Sequence, residues 1–155
     1  MTSLVDTESD DLLLLERQLC FALAVTSRSV IAAYRPILEP LGLTHPQYLV
    51  MLTLWEREPR SLKEISTVLR LEPATLSPLV KRLEAAGYVS RERSADDERQ
   101  LALRLTPTGD ALRREARAVP EKVVDALGIG MDELVDLHAR LSAILQRISP
   151  LTDAG

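Results

Sequence analysis

Apolar residues recur at helical spacing along most of this chain, and only one stretch alternates. Leu12, Leu15, Leu19, Leu23 and Val30 share a face, with Arg17, Arg28 and Ser29 between them, which predicts one helix from Leu12 to about Tyr34. Asp10 or Asp11 is placed to cap its start. The segment "RPILEPLGLT" carries two prolines and a glycine and reads as a connector with a turn of helix. Thr44 then precedes "HPQYLVMLTLWE", where a capping residue, a proline in the first turn and an apolar stripe predict a second helix to about Glu56. In "SLKEISTVLRL", Ser61 and Glu64 form a capping-box pattern, and Leu62, Ile65, Val68 and Leu69 make one apolar face. After the short break "LEP", "ATLSPLVKRLEAAGY" places Leu76, Leu79, Val80 and Leu83 on a face and ends at Gly87. Two short helices around a tight turn predict a helix-turn-helix.

The alternation follows at once. "YVSRERS" and "QLALRLT" are apolar at every second position and flank the charged tip "ADDER", as a β-hairpin does. A helix-turn-helix leading into a charged hairpin is a winged helix. "TPTGDALRREARAVPEKVVDAL" is helical from Pro107 with a bend or break at Pro120, and "GIGMDELVDLHARLSAILQRI" forms a last long helix after a glycine-rich joint. The predicted fold is mainly α with a small β-hairpin wing. The expected organisation is an acidic N-terminus at 1–11, dimerisation and sensor helices at 12–56, the winged helix-turn-helix at 57–108, and C-terminal dimerisation helices at 109–155. The apolar stripes of the terminal helices must be buried somewhere. Intertwining them across a two-fold axis buries them and offers two reading heads to a palindrome, so an obligate homodimer is expected.

Composition narrows the classes. The 155 residues are 46% hydrophobic and 3% aromatic, enough for a core and in favour of helix. A single cysteine forms no internal disulfide, and no CxxC pair suggests zinc. The acidic N-terminus lacks the basic region of a signal peptide, and no apolar run approaches the roughly 20 residues of a membrane span. A cytoplasmic location, no membrane and no cofactor are expected. The net charge of −4 conceals an asymmetry: residues 57–105 hold ten basic and eight acidic residues, the rest nine and fifteen. A locally basic middle suits a nucleic-acid face.

In such a unit the second helix enters the major groove and turns its N-terminal residues to base edges. Here those include Thr75, Ser77 and Pro78, with the phosphate-seeking cations Lys81 and Arg82 a turn later. Thr75 and Ser77 alone would read as capping residues; the adjoining wing decides for DNA. Arg99, at the hairpin tip, is long enough for a minor groove, and Asp97 is spaced to fix its guanidinium. Arg93 and Arg91 on the stem, and Lys63 on the first helix of the pair, are weaker candidates for phosphate contact.

The span from Ser61 to Gly109 resembles the winged helix of MarR-type bacterial transcription regulators, above all in Asp97-Glu98-Arg99 followed by Leu105-Thr106. "LERQLCFAL", "YRPILEPLGLTHPQYLVMLTLWE" and "SADDERQ" resemble the organic-hydroperoxide-resistance repressors, the OhrR branch, of single-cysteine type. The likeness covers about residues 14–125 and weakens in the final helix. It implies the same roles for Asp97 and Arg99, and a palindromic double-stranded operator.

Cys20 divides the two kinds of argument. From its neighbours alone it is a small buried hydrophobe, because a helix starting at Leu12 puts no helix N-terminus beside it and no Lys or His is near. The resemblance instead implies that Cys20 is the peroxidatic residue, its thiolate held by residues of the facing subunit. These fall on Tyr34 and on His45, where the family has a tyrosine, with Tyr48 in support. A neutral imidazole donates one hydrogen bond, and a protonated one favours the thiolate more strongly. Lacking a second cysteine, an oxidised Cys20 must be capped by a small thiol, close on the backbone, or oxidise further. The expected function is a repressor that senses organic hydroperoxides at Cys20 and releases its operator.

Three rivals remain. Catalysis lacks a phosphate loop, a HExxH or Gx-Ser-xG element and an oxyanion hole, so an enzyme is not expected. A MarR-type repressor released by a small aromatic ligand, with Cys20 structural, would use a pocket near Trp55, Tyr48 and Phe21. A helical adaptor without DNA binding conflicts with the charged hairpin tip.

Overall fold

The computed structural model describes residues 12–93 and 101–152. Its helices are α1 (Leu19–Leu38), α2 (His45–Glu56), α3 (Leu62–Leu69), α4 (Pro73–Ala85), α5 (Pro107–Ala116), α6 (Val119–Leu127) and α7 (Met131–Thr152). Strands β1 (Arg60–Ser61), β2 (Val89–Arg93) and β3 (Leu101–Leu105) form an antiparallel sheet in the order β1-β3-β2.

The first helix departs from expectation at both ends. Leu15–Arg17 form a 3₁₀ turn and Gln18 is extended, so α1 begins at Leu19 and not at Leu12. The Gln18 amide donates back to the carbonyls of Leu12 (2.6 Å) and Leu14 (3.4 Å), holding the turn as a separate piece. Leucines three and four apart suit a 3₁₀ turn as well as an α-helix, so spacing alone does not show the break. At the other end α1 continues through Pro36 to Leu38. Pro36 forfeits one backbone hydrogen bond, but Leu38 is fully buried and Ile37 packs on the core, which holds the last turn in place. Gly42, at φ 68°, then turns the chain into α2.

Helix α2 is the centre of the molecule. Thr44 and Gln47 cap it reciprocally: the Thr44 hydroxyl accepts from the Gln47 amide (3.4 Å), and the Gln47 side chain accepts from the Thr44 N–H (2.9 Å). Tyr48, Val50, Met51, Leu54 and Trp55 are all buried. Against them pack Leu38 from α1, Ile65 from α3, Leu76, Val80 and Leu83 from α4, and Leu103 from β3. The Trp55 indole donates to the Gly109 carbonyl (2.9 Å) and ties α2 to α5.

The helix-turn-helix forms as expected, with one change. The Ser61 hydroxyl accepts from the Glu64 N–H (3.1 Å), but the Glu64 carboxylate turns to Arg57 (3.2 Å) instead of completing the box. Between α3 and α4, Arg70 adopts φ 53° and Leu71 N–H donates to Ser66 O (3.0 Å). The hairpin pairs Val89 with Leu105 through Arg93 with Leu101. Strand β1, two residues long, has too little alternation to be seen in sequence. The helical stretch after the wing breaks at Arg117 and Ala118, and Pro120 lies in the first turn of α6, where its missing N–H costs nothing.

Helix α1 packs chiefly against α6. Both terminal helices keep apolar faces in solvent: Leu19, Phe21, Leu23 and Ile31 on α1, and Met131, Val135, Leu137, Ile144 and Ile148 on α7.

Gly109 lies against the Tyr88 backbone so closely that an added Cβ would collide with the Tyr88 carbonyl. Gly109→Ala should therefore push α5 off the wing base and cost about 2–3 kcal/mol. A lowered urea midpoint with an unchanged slope is the expected result; an unchanged midpoint would mean that α5 is free to shift.

Candidate functional site

Two groups of predicted residues gather on this fold. The first lies on α4. Burial of Leu76, Leu79, Val80 and Leu83 turns the opposite face outward, and Thr75, Pro78, Lys81 and Arg82 are all exposed there, with half-buried Ser77 at its margin. Pro78 sits inside the helix and withdraws one N–H from its ladder, on the exposed side. Arg93 ends β2 and is exposed, as is Lys63 on α3. Asp97 and Arg99 lie outside the described residues.

Arg91 falls differently from its expected place. Its guanidinium pairs with Glu84 of α4, and both side chains are partly buried. Across the hairpin Arg104 pairs with Glu92 (3.0 Å). Sequence reasoning missed both pairs, since neither is at helical spacing and each joins different elements.

The second group surrounds the junction of α1 and α2. Tyr34 meets His45 edge to face, with ring centroids 4.8 Å apart, and Tyr48 lies 6.0 Å from Tyr34 and 6.4 Å from Trp55. Desolvation raises the titration of Tyr34 above the ordinary phenol value. It does the same for Tyr48, with a smaller contribution from Tyr34. Desolvation lowers that of His45, so at neutral pH its ring is an uncharged hydrogen-bonding group.

Cys20 is not among them. Its thiol is exposed in the chain, contrary to the buried reading that its apolar neighbours suggest. It is the second residue of α1, because the helix starts seven residues later than expected, and no side chain caps that end. The backbone N–H groups of a first helical turn favour negative charge. Tyr34 lies fourteen residues further along the same helix, about 21 Å away. One chain therefore cannot bring Cys20 to its aromatic cluster.

Around Trp55, Tyr48 and Phe21, where an aromatic ligand was expected to bind, the single chain does not bring the three rings to one surface. Tyr48 and Trp55 are core, while Phe21 stands exposed on α1. A groove of about 630 Å³ lies elsewhere, lined by Arg28, Ile31, Ala32, Arg35 and Leu43. Among the described residues no cluster of His, Cys, Asp and Glu could hold a metal, and no helix is long and apolar enough to cross a membrane.

A family model of the SarA/Rot transcriptional regulators matches residues 32–115. The organic hydroperoxide resistance transcriptional regulator of Bacillus subtilis (strain 168) is 37% identical over 134 residues, 86% of this chain and 91% of its own. The chain belongs to the MarR family of winged-helix transcriptional regulators. As a MarR-family regulator it is not an enzyme. The HTH-type transcriptional regulator TtmR of Methylorubrum extorquens (strain PA1) is 45% identical over 82% of this chain, which spans 65% of that relative's length. Among solved structures, AbfR of Staphylococcus epidermidis in reduced form bound to DNA is 36% identical, with a TM-score of 0.71 over 90% of this chain and 98% of that one. Overoxidized AbfR bound to DNA matches with the same identity and coverage and a TM-score of 0.70. The winged helix-turn-helix with its small antiparallel wing is common to them.

The depressed titration of His45 has a signed consequence for stability. Its neutral form is favoured in the fold, so its contribution is complete above the ordinary imidazole value of about 6.5 and is lost as pH falls through its lower folded value. The melting temperature should drop between pH 7 and pH 5, and His45→Gln should flatten that drop. Identical pH profiles for the two proteins would place His45 in solvent.

Proposed function

We propose that this chain is a DNA-binding repressor, active as a homodimer, that leaves its operator when an organic hydroperoxide oxidises Cys20. The observation that carries this reading is an exposed cysteine in the first turn of α1, on a chain 37% identical to an organic hydroperoxide resistance regulator. The exposed face of α4, with Thr75, Ser77 and Pro78 toward base edges and Lys81 and Arg82 toward phosphates, supports DNA reading. Arg93 adds a phosphate contact on the wing stem, and Asp97 orients Arg99 in the minor groove at its tip. Capture of AbfR on DNA in its reduced form supports the same mode.

The homodimer follows from two observations. The exposed apolar faces of α1 and α7 need a cover, and a second copy provides it. The resemblance pairs Cys20 with Tyr34 of a facing subunit, and a partner whose α1 runs in the opposite direction would span the 21 Å or so that separates them along one helix. In that arrangement Tyr34 and neutral His45 donate hydrogen bonds to the facing thiolate, with Tyr48 backing Tyr34.

The chemistry is a two-electron oxidation. The Cys20 thiolate attacks the O–O bond of the hydroperoxide, taking one oxygen as sulfenic acid and releasing the alcohol. With one cysteine per chain, a small cellular thiol then displaces water to form a mixed disulfide. Overoxidized AbfR was found on DNA, so added oxygen atoms alone do not prevent binding in that relative. The bulk of the mixed disulfide at the subunit interface is the better candidate for shifting the two reading heads. A hundredfold loss of affinity requires about 2.7 kcal/mol of coupling.

A second reading rests on the groove lined by Ile31, Ala32 and Leu43 with Arg28, Arg35 and Glu39 at its edges, which offers a small aromatic ligand apolar walls and polar partners. In that case Cys20 is structural.

The two readings separate in one titration of fluorescent DNA from the region preceding the protein's own gene. Hydroperoxide with a small thiol should release the wild type by about a hundredfold in affinity and leave Cys20→Ser bound. Release of both, or of neither, would overturn redox control and turn attention to the Arg28 groove.

A further inference from the structure

The ion pair between α4 and the wing does work that a phosphate contact would not. Helix α4 runs into β2 through Ala86, Gly87 and Tyr88, with Gly87 at φ 81°. The base of the hairpin is seated on the core through Val89 and Leu103, while its stem beyond Ser90 runs out from that packing. Tyr88 N–H donates to Leu83 O (3.0 Å), and Thr106 N–H donates to Tyr88 O (3.1 Å). Both lie at the root of the hairpin. Beyond them, Glu84 and Arg91 form an ion pair that joins the last turn of α4 to the hairpin stem. Arg91 stands opposite fully buried Leu103, at the point where the strand leaves the core. Arg93, two residues on, is exposed.

We infer that Glu84 and Arg91 form a positioning clamp that sets the wing against the recognition helix, and that Arg91 takes no part in phosphate binding. This deepens the DNA-binding reading above and rests on it. A carboxylate on a helix that approaches DNA would ordinarily repel phosphate. Glu84 is neutralised in place by Arg91, and only about a third of its side chain is open to water, at 33% exposure against 24% for Arg91. Partial burial preserves such a pair against salt better than a fully exposed one. The other stem pair, Arg104 with Glu92, joins β3 to β2 and stiffens the hairpin itself without reaching the helix. The wing is thus stiffened within itself, seated on the core through Val89 and Leu103, and joined to α4 on its polar side by the Glu84–Arg91 pair. Arg91 and Arg104 are engaged in protein contacts, and the described stem leaves Arg93 to meet phosphate.

The clamp predicts an effect of unusual sign. Glu84→Gln removes a negative charge from a DNA-binding domain and should nonetheless weaken binding to the protein's own promoter DNA, by about fivefold. Arg91→Gln should weaken it equally. The double variant should be no worse than either single one, and the swapped pair, Glu84→Arg with Arg91→Glu, should restore most of the loss. Across a salt series the slope of log affinity should match the wild type in all four. Lys81→Gln should reduce that slope by about 0.9, as loss of one phosphate contact does. Tighter binding by Glu84→Gln, a reduced slope for Arg91→Gln, or additive losses without rescue by the swap would each overturn the clamp. Failure of the DNA reading itself shows separately, as wild-type binding to promoter DNA no tighter than to unrelated duplex.

Discussion

Burial of α2 on nearly every side is the constraint on which the rest of this structure depends. A twelve-residue helix with seven buried residues can sit only where other elements enclose it, and here α1, α3, α4, α5 and β3 all do. Its start carries His45 against Tyr34, and its end carries Trp55 bonded to the first turn of α5. The aromatic cluster and the base of the DNA-reading unit therefore belong to one rigid piece. A disturbance at Tyr34 and His45 is applied to the same helix that supports α3 and α4. That shared support is a physical basis for coupling the aromatic cluster to the reading helices, without any need for a relay of separate parts.

The position of Cys20 shows how a small local detail changes the chemistry. Had α1 begun at Leu12, the thiol would lie in the third turn, among paired backbone groups. Because Gln18 turns its side chain back to the preceding carbonyls, the helix starts one residue before Cys20. The same sulfur then stands in the first turn of the helix, where the backbone N–H groups have no partner within the helix. A polar side chain two residues away sets that position.

Much of the architecture was legible in the sequence because periodicity reports burial. The two helices of the reading unit, the paired strands of the wing and the outward face of α4 follow from apolar spacing, capping residues and Gly87. What escaped depended on competition between local and distant interactions. The break at Gln18 is hidden because leucines at that spacing suit both kinds of helix. The passage of α1 through Pro36 depends on a core contact by Leu38 that no local rule contains. The engagement of Arg91 by Glu84 is a tertiary fact, invisible to a count of basic residues on a strand. At Cys20 the apolar context suggested burial where the single chain exposes the thiol, and the sensing role proposed for it, like that of the histidine at position 45, comes from family resemblance.

The separation of Cys20 from Tyr34 along a single straight helix also sets the arithmetic of the proposed sensing. On that reading each sensor of a two-fold dimer is assembled from both chains, a sulfur from one and a cradle from the other. Mixed dimers between an intact subunit and one lacking the thiol would hold one complete sensor and two intact reading heads. Mixed dimers between a subunit lacking the thiol and one lacking the cradle would also hold one, because the two defects fall at the same composite site and leave the other whole. On that reading, complementation between two separately inactive alleles follows from the length of α1.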